Sequence, residues 1–294
     1  MSIFLGTGDA KGYPCPNCHC EACEAARKLG GKAIKTRSDF LIDEYNVIDF
    51  GPDILHQTLN CNVMIDKIKN VFMTHSHFDH VSISSLMLLN EGTGARSTPV
   101  NLYGQKGALE FVEDMCRRNT YRAGTRKDLY VYEHIKYCPL DYFETIETDG
   151  LKVTTLKSSH EGYGVGELGF NYIVEKDGKT LLYGTDTGWY PDETWEFLKN
   201  SGIKFDYVLM ENTYGKDPRN IIKPYAGGHL NTKNFFMMLD KLVECGNMTK
   251  DTPVYVTHVA DAGREPYNEL VDSMENNGTY TNVQVAFDGQ KLDF

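Results

Sequence analysis

One six-residue stretch of the sequence concentrates side chains that bind metal ions. From His75 to His80 it reads His-Ser-His-Phe-Asp-His. In an extended segment, side chains two positions apart point to the same side of the chain, so His75 and His77 can face one ion together. Asp79 and His80 follow at once and can serve a second ion. Imidazole and carboxylate groups suit zinc, manganese or iron. This register predicts a metal site rather than a surface loop that happens to be rich in histidine.

Four short apolar runs each lead to a residue that can bind a metal. Apolar, β-branched runs of this length are typical of buried strands. They cover residues 68–74, 151–156, 180–185 and 253–257, and they are followed by the motif, His160, Asp186 and His258, respectively. Because sheets commonly gather functional side chains at the ends of their strands, we expect these residues to meet at one edge of the fold.

This order of residues resembles the metallo-β-lactamase superfamily. The motif His75-x-His77-x-Asp79-His80, then His160, Asp186 and His258, matches the seven-ligand signature of that family, and the resemblance runs from Ile3 to the region of His258. It implies a four-layer αββα sandwich, with residues 1–294 forming a single domain. It also implies two sets of ligands: His75, His77 and His160 for one metal, Asp79, His80 and His258 for the other, and Asp186 as the bridge.

A site with two metals implies hydrolysis without a serine or cysteine nucleophile. Two metals about 3.5–4 Å apart can hold a bridging hydroxide, and metal binding lowers the pKa of water from roughly 15.7 to about 7. Bound metals also stabilise negative charge that develops on a phosphoryl or carbonyl oxygen. Asp79 is therefore expected at the catalytic centre as well as among the ligands. Manganese and zinc both suit these ligands.

A second cluster of metal-binding side chains lies near the N-terminus. Residues 15–23 contain four of the eight cysteines, which are Cys15, Cys18, Cys20 and Cys23. Thiolates hold zinc tetrahedrally, and four protein ligands close such a site to substrate. In a chain that shows no signal peptide, this spacing favours a structural zinc over a disulfide framework.

Within the superfamily, the N-terminal segment is similar to the PhnP branch, whose members are phosphodiesterases that open cyclic ribose phosphates. The similarity rests on residues 6–14 followed by Cys18-x-Cys20-x-x-Cys23. The accessory proteins of quinone-cofactor synthesis share a similar cysteine loop. In the PhnP pattern a histidine three positions after the last active-site histidine completes the zinc site, and here that position is Asp261. Either Asp261 or the additional Cys15 can provide the fourth ligand.

A second PhnP-like segment is Gly228-His229-Leu230-Asn231-Thr232. In that branch the corresponding histidine lies beside the metals and helps the leaving group. The resemblance makes His229 the candidate general acid or phosphate-positioning residue. Residues 232–242 read as a helix, so His229 would lie close to backbone N–H groups that favour anions.

Several further residues are candidates for supporting roles. Aspartates at positions like Asp49 and Asp53 often orient a ligand histidine in this superfamily, although a plain turn at residues 51–53 explains Asp53 equally well. Four aromatic residues fall near the ligand-bearing loops and can line a pocket, but ordinary packing is the favoured explanation. They are Tyr163, Trp189, Tyr190 and Tyr214.

Composition and charge narrow the expected partners. The chain has 294 residues, 41% hydrophobic and 24% charged, with a formal net charge of −11, which is typical of a soluble globular protein. Proteins that bind extended nucleic acids usually carry a net positive charge. The basic residues between 117 and 127 are best explained as a solvated helix face. The sequence predicts no transmembrane segment and no signal peptide, hence a cytoplasmic location. The expected partner is a small anionic phosphodiester.

Three functional hypotheses follow. The first is a binuclear metal-dependent phosphodiesterase for a small cyclic or diester phosphate, such as a ribose cyclic phosphate. The second is hydrolysis of a thioester or lactone at the same metals. The third is a non-catalytic accessory protein of the quinone-cofactor type. Seven ligands argue against the third, and the His229 segment favours the first. Residues 119–146 match the PhnP pattern poorly and are interpreted as an insertion that affects substrate choice or the contacts of a homodimer.

Overall fold

Two seven-stranded sheets pack face to face, and helices cover their outer surfaces. The computed structural model describes residues 1–89, 99–122, 134–216 and 228–294. The strands of the first sheet, in sequence order, are β1 (Ser2–Gly6), β2 (Asp39–Leu41), β3 (Asn46–Ile48), β4 (Asn70–Phe72), β5 (Val100–Gln105), β6 (Ile135–Leu140) and β14 (Lys291–Leu292). Their spatial order is β14-β1-β2-β3-β4-β5-β6.

The second sheet has the spatial order β13-β12-β11-β10-β9-β8-β7. Its strands are β7 (Thr145–Thr148), β8 (Leu151–Glu161), β9 (Leu168–Lys176), β10 (Lys179–Gly184), β11 (Tyr207–Glu211), β12 (Val254–Thr257) and β13 (Val283–Val285). The helices are α1 (Glu21–Leu29), α2 (Ile54–Cys61), α3 (Ile83–Leu86), α4 (Lys106–Arg122), α5 (Asp192–Ser201), α6 (Thr232–Glu244) and α7 (Tyr267–Glu275).

Three apolar cores hold these layers together. The central core lies between the sheets and includes Phe4 and Phe72 from the first sheet and Tyr172 and Leu209 from the second. A second core joins the first sheet to α2, α3 and α4, and a third joins the second sheet to α5, α6 and α7. Because each sheet buries both of its faces, the chain needs helices on both outer sides. The predicted four-layer αββα sandwich is confirmed.

Strand direction explains why the candidate ligands meet. Strands β10, β11 and β12 are mutually parallel, so Asp186 and His258, which follow β10 and β12, leave the sheet at the same edge. Strand β8 runs antiparallel to β9, which in turn runs antiparallel to β10. The end of β8 therefore lies at this edge too. His160 lies inside β8, not after it as the apolar run 151–156 suggested, because the strand continues to Glu161.

The helix predicted over residues 232–242 is confirmed, since these residues lie within α6. The region after the histidine motif forms α3 and a short 3₁₀ turn, Met87–Leu89. On α4, Arg117 and Arg118 are exposed and pair with Asp114, which confirms the solvated helix face.

The poorly matching segment 119–146 is only partly covered. Its residues 123–133, which include Arg126 and Lys127, lie outside the described residues. The remainder includes β6, the outermost strand of the first sheet. Within the described ranges, no helix is both long enough and apolar enough to cross a membrane.

Candidate metal centre

The seven predicted ligands converge at the shared edge of the two sheets. The donor atoms of His75, His77 and His160 lie within 4.8 Å of one another. So do those of a second group, Asp79, His80, Asp186 and His258. Six of the seven residues are buried, and His77 is partly exposed to the cavity in front of them.

Asp186 lies between the two groups. Its Oδ2 atom is 3.1 Å from His258 Nε2 and 4.0 Å from His75 Nε2, and it also contacts His80 Nε2. One carboxylate thus reaches imidazoles from both groups. This placement is what a bridging ligand requires.

The donor atoms fit divalent metals in their chemistry and in their surroundings. Among the described residues, the Nε2 atoms of His80 and His258 and both carboxylate oxygens of Asp186 are buried without a hydrogen-bond partner of acceptable geometry. Buried polar atoms are costly unless they are paired. Imidazole nitrogens and carboxylate oxygens are ligands for zinc and manganese, so bound metals would satisfy these atoms.

Backbone strain at the site supports a functional role. Asp49, Asp186 and His258 adopt positive φ angles of 62°, 51° and 52°. This left-handed conformation is uncommon for residues other than glycine and costs of order 1–3 kcal/mol each. The remaining structure must offset this cost, and in return the three side chains are turned into the site.

Hydrogen bonds from outside the ligand set orient His80. Its Nδ1 atom lies 2.7 Å from Asp49 Oδ2, which leaves Nε2 directed toward the metal centre. Asp49 in turn accepts hydrogen bonds from the backbone N–H (2.8 Å) and the hydroxyl (3.0 Å) of Thr74. Asp53, the other aspartate proposed for this role, instead pairs with Arg37 at 2.9 Å and accepts from its backbone N–H. Asp53 lies in the turn that directly precedes α2, so the role in a turn is the better description.

His229 lies beside the second group of ligands. Its Nδ1 atom is 3.0 Å from Asp186 Oδ1 and 2.9 Å from Glu211 Oε2. Its ring stacks against the ring of His258, with centroids 5.3 Å apart. His229 also lines the cavity, so its side chain can reach a substrate.

Glu211 is a residue of the site that the sequence analysis missed. It is fully buried at the end of β11 and accepts hydrogen bonds from the backbone of Thr187 (2.7 Å) and Gly188 (3.0 Å) and from the hydroxyl of Thr213 (2.5 Å). The same hydroxyl lies 2.8 Å from His258 Nδ1. Glu211 follows the apolar run 207–210, the same pattern that identified Asp186 and His258, so a signal was present.

The two groups of imidazoles differ in their readiness to bind a metal. Burial lowers the pKa of His75 well below its usual value, lowers that of His77, and lowers that of His160 to about 4. Burial opposes protonation of His80 and His258 as well, but nearby carboxylates outweigh it and raise the pKa of both. Burial thus favours the neutral imidazoles that bind a metal in the first group, whereas protonation competes more strongly with metal binding in the second.

The cysteine cluster also forms in three dimensions. The Sγ atoms of Cys18, Cys20 and Cys23 lie within 4.8 Å of one another, and Asp261 Oδ2 lies 3.9 Å from Cys23 Sγ. Cys15 contributes its backbone, because its carbonyl oxygen accepts hydrogen bonds from Arg27 (2.7 Å) and from the N–H of Cys18 (3.1 Å).

A cavity of about 580 Å³ opens onto the metal ligands. Of the four aromatic residues considered, Tyr163 lines it. Trp189 and Tyr190 are buried in the core beneath α5, where they pack as expected. The ring of Tyr214 makes an edge contact with His229, at 5.2 Å between centroids.

Replacing Asp49 with asparagine is expected to weaken metal binding at the second group by about 10- to 100-fold, because His80 loses the carboxylate that orients it. The measurement is a metal titration of the metal-free protein. The control is Asp66→Asn, which changes an exposed aspartate and should leave the affinity unchanged. Equal affinities for the native protein and the Asp49→Asn variant would contradict this assignment.

The two groups should also respond differently to pH. Lowering the pH from 8 to 6 is expected to weaken metal binding at the second group steeply, by about 10-fold per pH unit for each proton displaced. Binding at the first group should change much less, because its imidazoles are already neutral. Titrations at both pH values would resolve two classes of site, and a parallel loss of affinity in both classes would disprove the difference.

Two solved structures share the architecture of the whole chain. A diphosphatase from the PhnP family superposes with a TM-score of 0.71 at 21% identity, covering 99% of this chain and 95% of that one. Zinc-bound PqqB from Methylobacterium extorquens also gives a TM-score of 0.71, at 20% identity, covering 100% of this chain and 99% of that one. At such identities the likeness shows the fold alone.

Sequence comparison identifies the family. The chain is 29% identical to ribonuclease Z from Bacillus cereus strain AH187 over 242 residues, covering 78% of this chain and 67% of the relative. It is 28% identical over 181 residues to an octanoyltransferase from Porphyromonas gingivalis, of which it spans 33%. A family model described as a β-lactamase superfamily domain matches residues 46–259, from β3 to just beyond His258. The chain therefore belongs to the β-lactamase superfamily and has the metallo-β-lactamase fold of metal-dependent hydrolases.

Proposed function

We propose that this protein is a two-metal phosphodiesterase that hydrolyses a small phosphodiester. The observation that carries the proposal is the position of Asp186, which contacts imidazoles of both ligand groups while His229 stands beside it at 3.0 Å. The names of two similar proteins, ribonuclease Z and a PhnP-family diphosphatase, point to the same kind of chemistry.

In this proposal, zinc or manganese ions are bound by two sets of residues that share Asp186. These sets are His75, His77 and His160 for one ion, and Asp79, His80 and His258 for the other. Bound metals supply an activated water and stabilise negative charge on the phosphoryl group. The protein contributes the fixed placement of the ligands, since His80 is held by Asp49 and His258 by Thr213.

His229 is the proposed proton donor to the leaving group. Burial disfavours its charged form, but Glu211 and Asp186 outweigh that effect and raise the pKa of His229 well above its usual value. These two carboxylates thus favour the protonated ring that a general acid requires. With Nδ1 hydrogen-bonded to Glu211 and close to Asp186, Nε2 is the atom that can meet a substrate oxygen in the cavity. Glu211 acts through His229 and is a positioning residue.

The size of the cavity and the charge of the chain favour a small substrate. A volume of about 580 Å³ falls within the range of small-molecule sites, roughly 300–1,000 Å³. A net charge of −11 opposes the binding of a long polyanion such as RNA. We therefore propose a compact phosphodiester as the substrate, in a class that includes ribose cyclic phosphates and cyclic nucleotides.

The direct test is hydrolysis of a substrate panel by purified protein with added zinc or manganese and a chelator control. The panel contains an aryl phosphodiester, a ribose cyclic phosphate, a 2′,3′-cyclic nucleotide, a short structured RNA, a thioester and a lactone. We expect chelator-sensitive turnover of the small phosphodiesters. Turnover of the thioester or lactone alone would overturn the phosphate assignment, and preferential cleavage of the RNA would overturn the small substrate.

Within that assay, His229→Ala should lower kcat by roughly 10²- to 10⁴-fold, the usual worth of a positioned proton donor. Its content of bound metal should equal that of the native protein, because His229 is assigned to the leaving group and not to a metal. His56→Ala, which removes an exposed histidine on α2, is the matched control. A variant that turns over at the native rate, or that loses a metal, would remove His229 from this role.

We also propose a structural zinc held by Cys18, Cys20, Cys23 and Asp261. The distance of 3.9 Å between Cys23 Sγ and Asp261 Oδ2 supports Asp261 over Cys15 as the fourth ligand. A carboxylate is an accepted ligand in zinc sites. The only histidine within the loop, His19, is largely exposed and pairs with Glu24 at 2.9 Å. It is therefore not our candidate for the fourth zinc ligand.

Metal analysis separates these two candidates for the fourth ligand. Asp261→Ala is expected to lose one tightly bound zinc per chain, whereas Cys15→Ser should retain it. Asp261→His, which supplies a stronger zinc ligand at the same position, should retain the metal as well. If Cys15→Ser loses the zinc while Asp261→Ala keeps it, the assignment is reversed.

A further inference from the structure

Three aromatic rings form a continuous apolar surface at the mouth of the cavity. Phe78 and Tyr163 are 63% and 45% exposed, although both are large hydrophobic side chains. Their ring centroids are 4.7 Å apart, and the ring of Phe111 from α4 lies 5.6 Å from that of Tyr163. We call Phe78, Phe111 and Tyr163 the aromatic platform.

The platform adjoins the first group of metal ligands. Phe78 stands within the histidine motif, between His77 and Asp79. The ring of Tyr163 meets the ring of His77 edge to face, with centroids 4.5 Å apart. A flat group that rests on the platform therefore lies one ring away from a metal ligand.

The position of Tyr163 is fixed by a buried hydrogen-bond network. The hydroxyl of Ser76 accepts a hydrogen bond from the backbone N–H of Tyr163 at 2.8 Å and donates one to Glu167 at 2.5 Å. Glu167 also accepts from the N–H groups of Ser76 and Gly164, each at 2.7 Å. Ser76 lies between two metal ligands, so the loop that carries Tyr163 is tied to the metal motif itself.

Close backbone packing also holds this loop against α4. A Cβ atom on Gly164 would lie 2.3 Å from the backbone of Gly107, and one on Gly107 would lie 2.5 Å from the carbonyl oxygen of Val165. Only glycine permits this approach. The contact places Tyr163 within reach of Phe111, so the loop and α4 hold two of the three platform rings in fixed positions.

The geometry determines how a ligand can use this surface. Rings 4.7 Å apart already touch, so a third ring cannot enter between them and must rest on their outer faces. The neighbouring side chains Ile83, Val112 and Met115 extend the same apolar wall, whereas Asp9 and Arg37 give another part of the cavity a polar lining. The cavity is therefore suited to a ligand with one flat apolar part and one polar part.

We propose that the aromatic platform binds an aromatic ring of the substrate, either a nucleobase or an aryl group, while its phosphate lies against the metal ligands. The position of the phosphate rests on the proposed function, whereas the recognition of the ring does not. Stacking of a base on exposed aromatic side chains is tolerant of base identity. The platform would select a class of ring-bearing phosphate esters and not one particular base.

Calorimetric binding to the zinc-loaded protein tests this inference without requiring turnover. Two ligand pairs differ only in the presence of a ring: adenosine 5′-monophosphate against ribose 5-phosphate, and phenyl phosphate against methyl phosphate. In at least one pair, the ligand with the ring should bind roughly 5- to 150-fold more tightly. The pair that shows the preference identifies the nucleobase or the aryl group as its source.

Variants link the preference to the platform. In the double variant Phe78→Ala/Tyr163→Ala, the preference should fall to within about 2-fold, whereas Tyr163→Phe keeps the ring and should keep the preference. Leu59→Ala, at a 72% exposed leucine on α2, is the control and should behave as the native protein does. No preference in either pair, no binding of any ligand, or a preference that survives the double variant would overturn the inference.

The ring preference and the phosphodiesterase activity can be confirmed or contradicted separately. A ring preference without turnover of any phosphodiester would retain the platform and remove the proposed function. Turnover of phosphodiesters without a ring preference would do the reverse.

Discussion

The buried carboxylate of Asp186 constrains the rest of this structure. A carboxylate removed from water is costly unless charge and hydrogen bonds offset the loss. Here burial acts to raise the pKa of Asp186, but His258, His80 and His229 outweigh it and hold that pKa well below its usual range. Each of these imidazoles is in turn tied to another side chain, through Thr213, Asp49 and Glu211. Loss of one member would leave a buried charge without its partner.

This polar cluster lies where the edges of the two sheets meet, and hydrogen bonds between the sheets hold its residues at their observed separations. The N–H of Phe170 in β9 donates to the carbonyl oxygen of Thr74 at 2.7 Å, immediately before the histidine motif. The hydroxyl of Tyr172 donates to the carbonyl oxygen of Met73 at 2.5 Å. Four of the candidate ligands follow β4 of the first sheet, and the second sheet supplies His160, Asp186 and His258. These two bonds therefore help to fix the relation between both halves of the candidate metal centre.

Much of the site could be predicted because short segments of the sequence contain the residue spacing that identifies it. The spacing from His75 to His80 defines a ligand register without knowledge of the fold, and the strand-then-ligand pattern is readable for Asp186 and His258. Glu211 follows the same pattern, but its role depends on His229, which lies 18 residues away along the chain and meets it only in the folded structure. Likewise, only packing distinguishes Tyr163 at the cavity from Trp189 in the core. The sequence left Asp261 and Cys15 as alternative fourth ligands, and only the folded structure shows that Asp261 lies near Cys23.

The prediction for Asp53 shows the limit of positional analogy. Asp49 and Asp53 are four residues apart in a segment that leads to α2, and in the sequence only the possible turn at residues 51–53 distinguishes them. The positive φ of Asp49 turns its carboxylate inward to His80, whereas Asp53 faces Arg37. The difference arises from backbone conformation, which the residue types do not reveal.

The positions of this site differ in how well they tolerate substitution, and the contact between Gly107 and Gly164 is the reason. Any side chain at either glycine would push the loop that carries Tyr163 away from α4. We therefore expect only glycine at these two positions. Phe78 and Tyr163 are exposed to solvent, so other side chains can replace them without disturbing the hydrophobic cores. Under the proposed role of the platform, natural variation or engineering would change substrate preference at these rings while the scaffold and the candidate metal ligands stay constant.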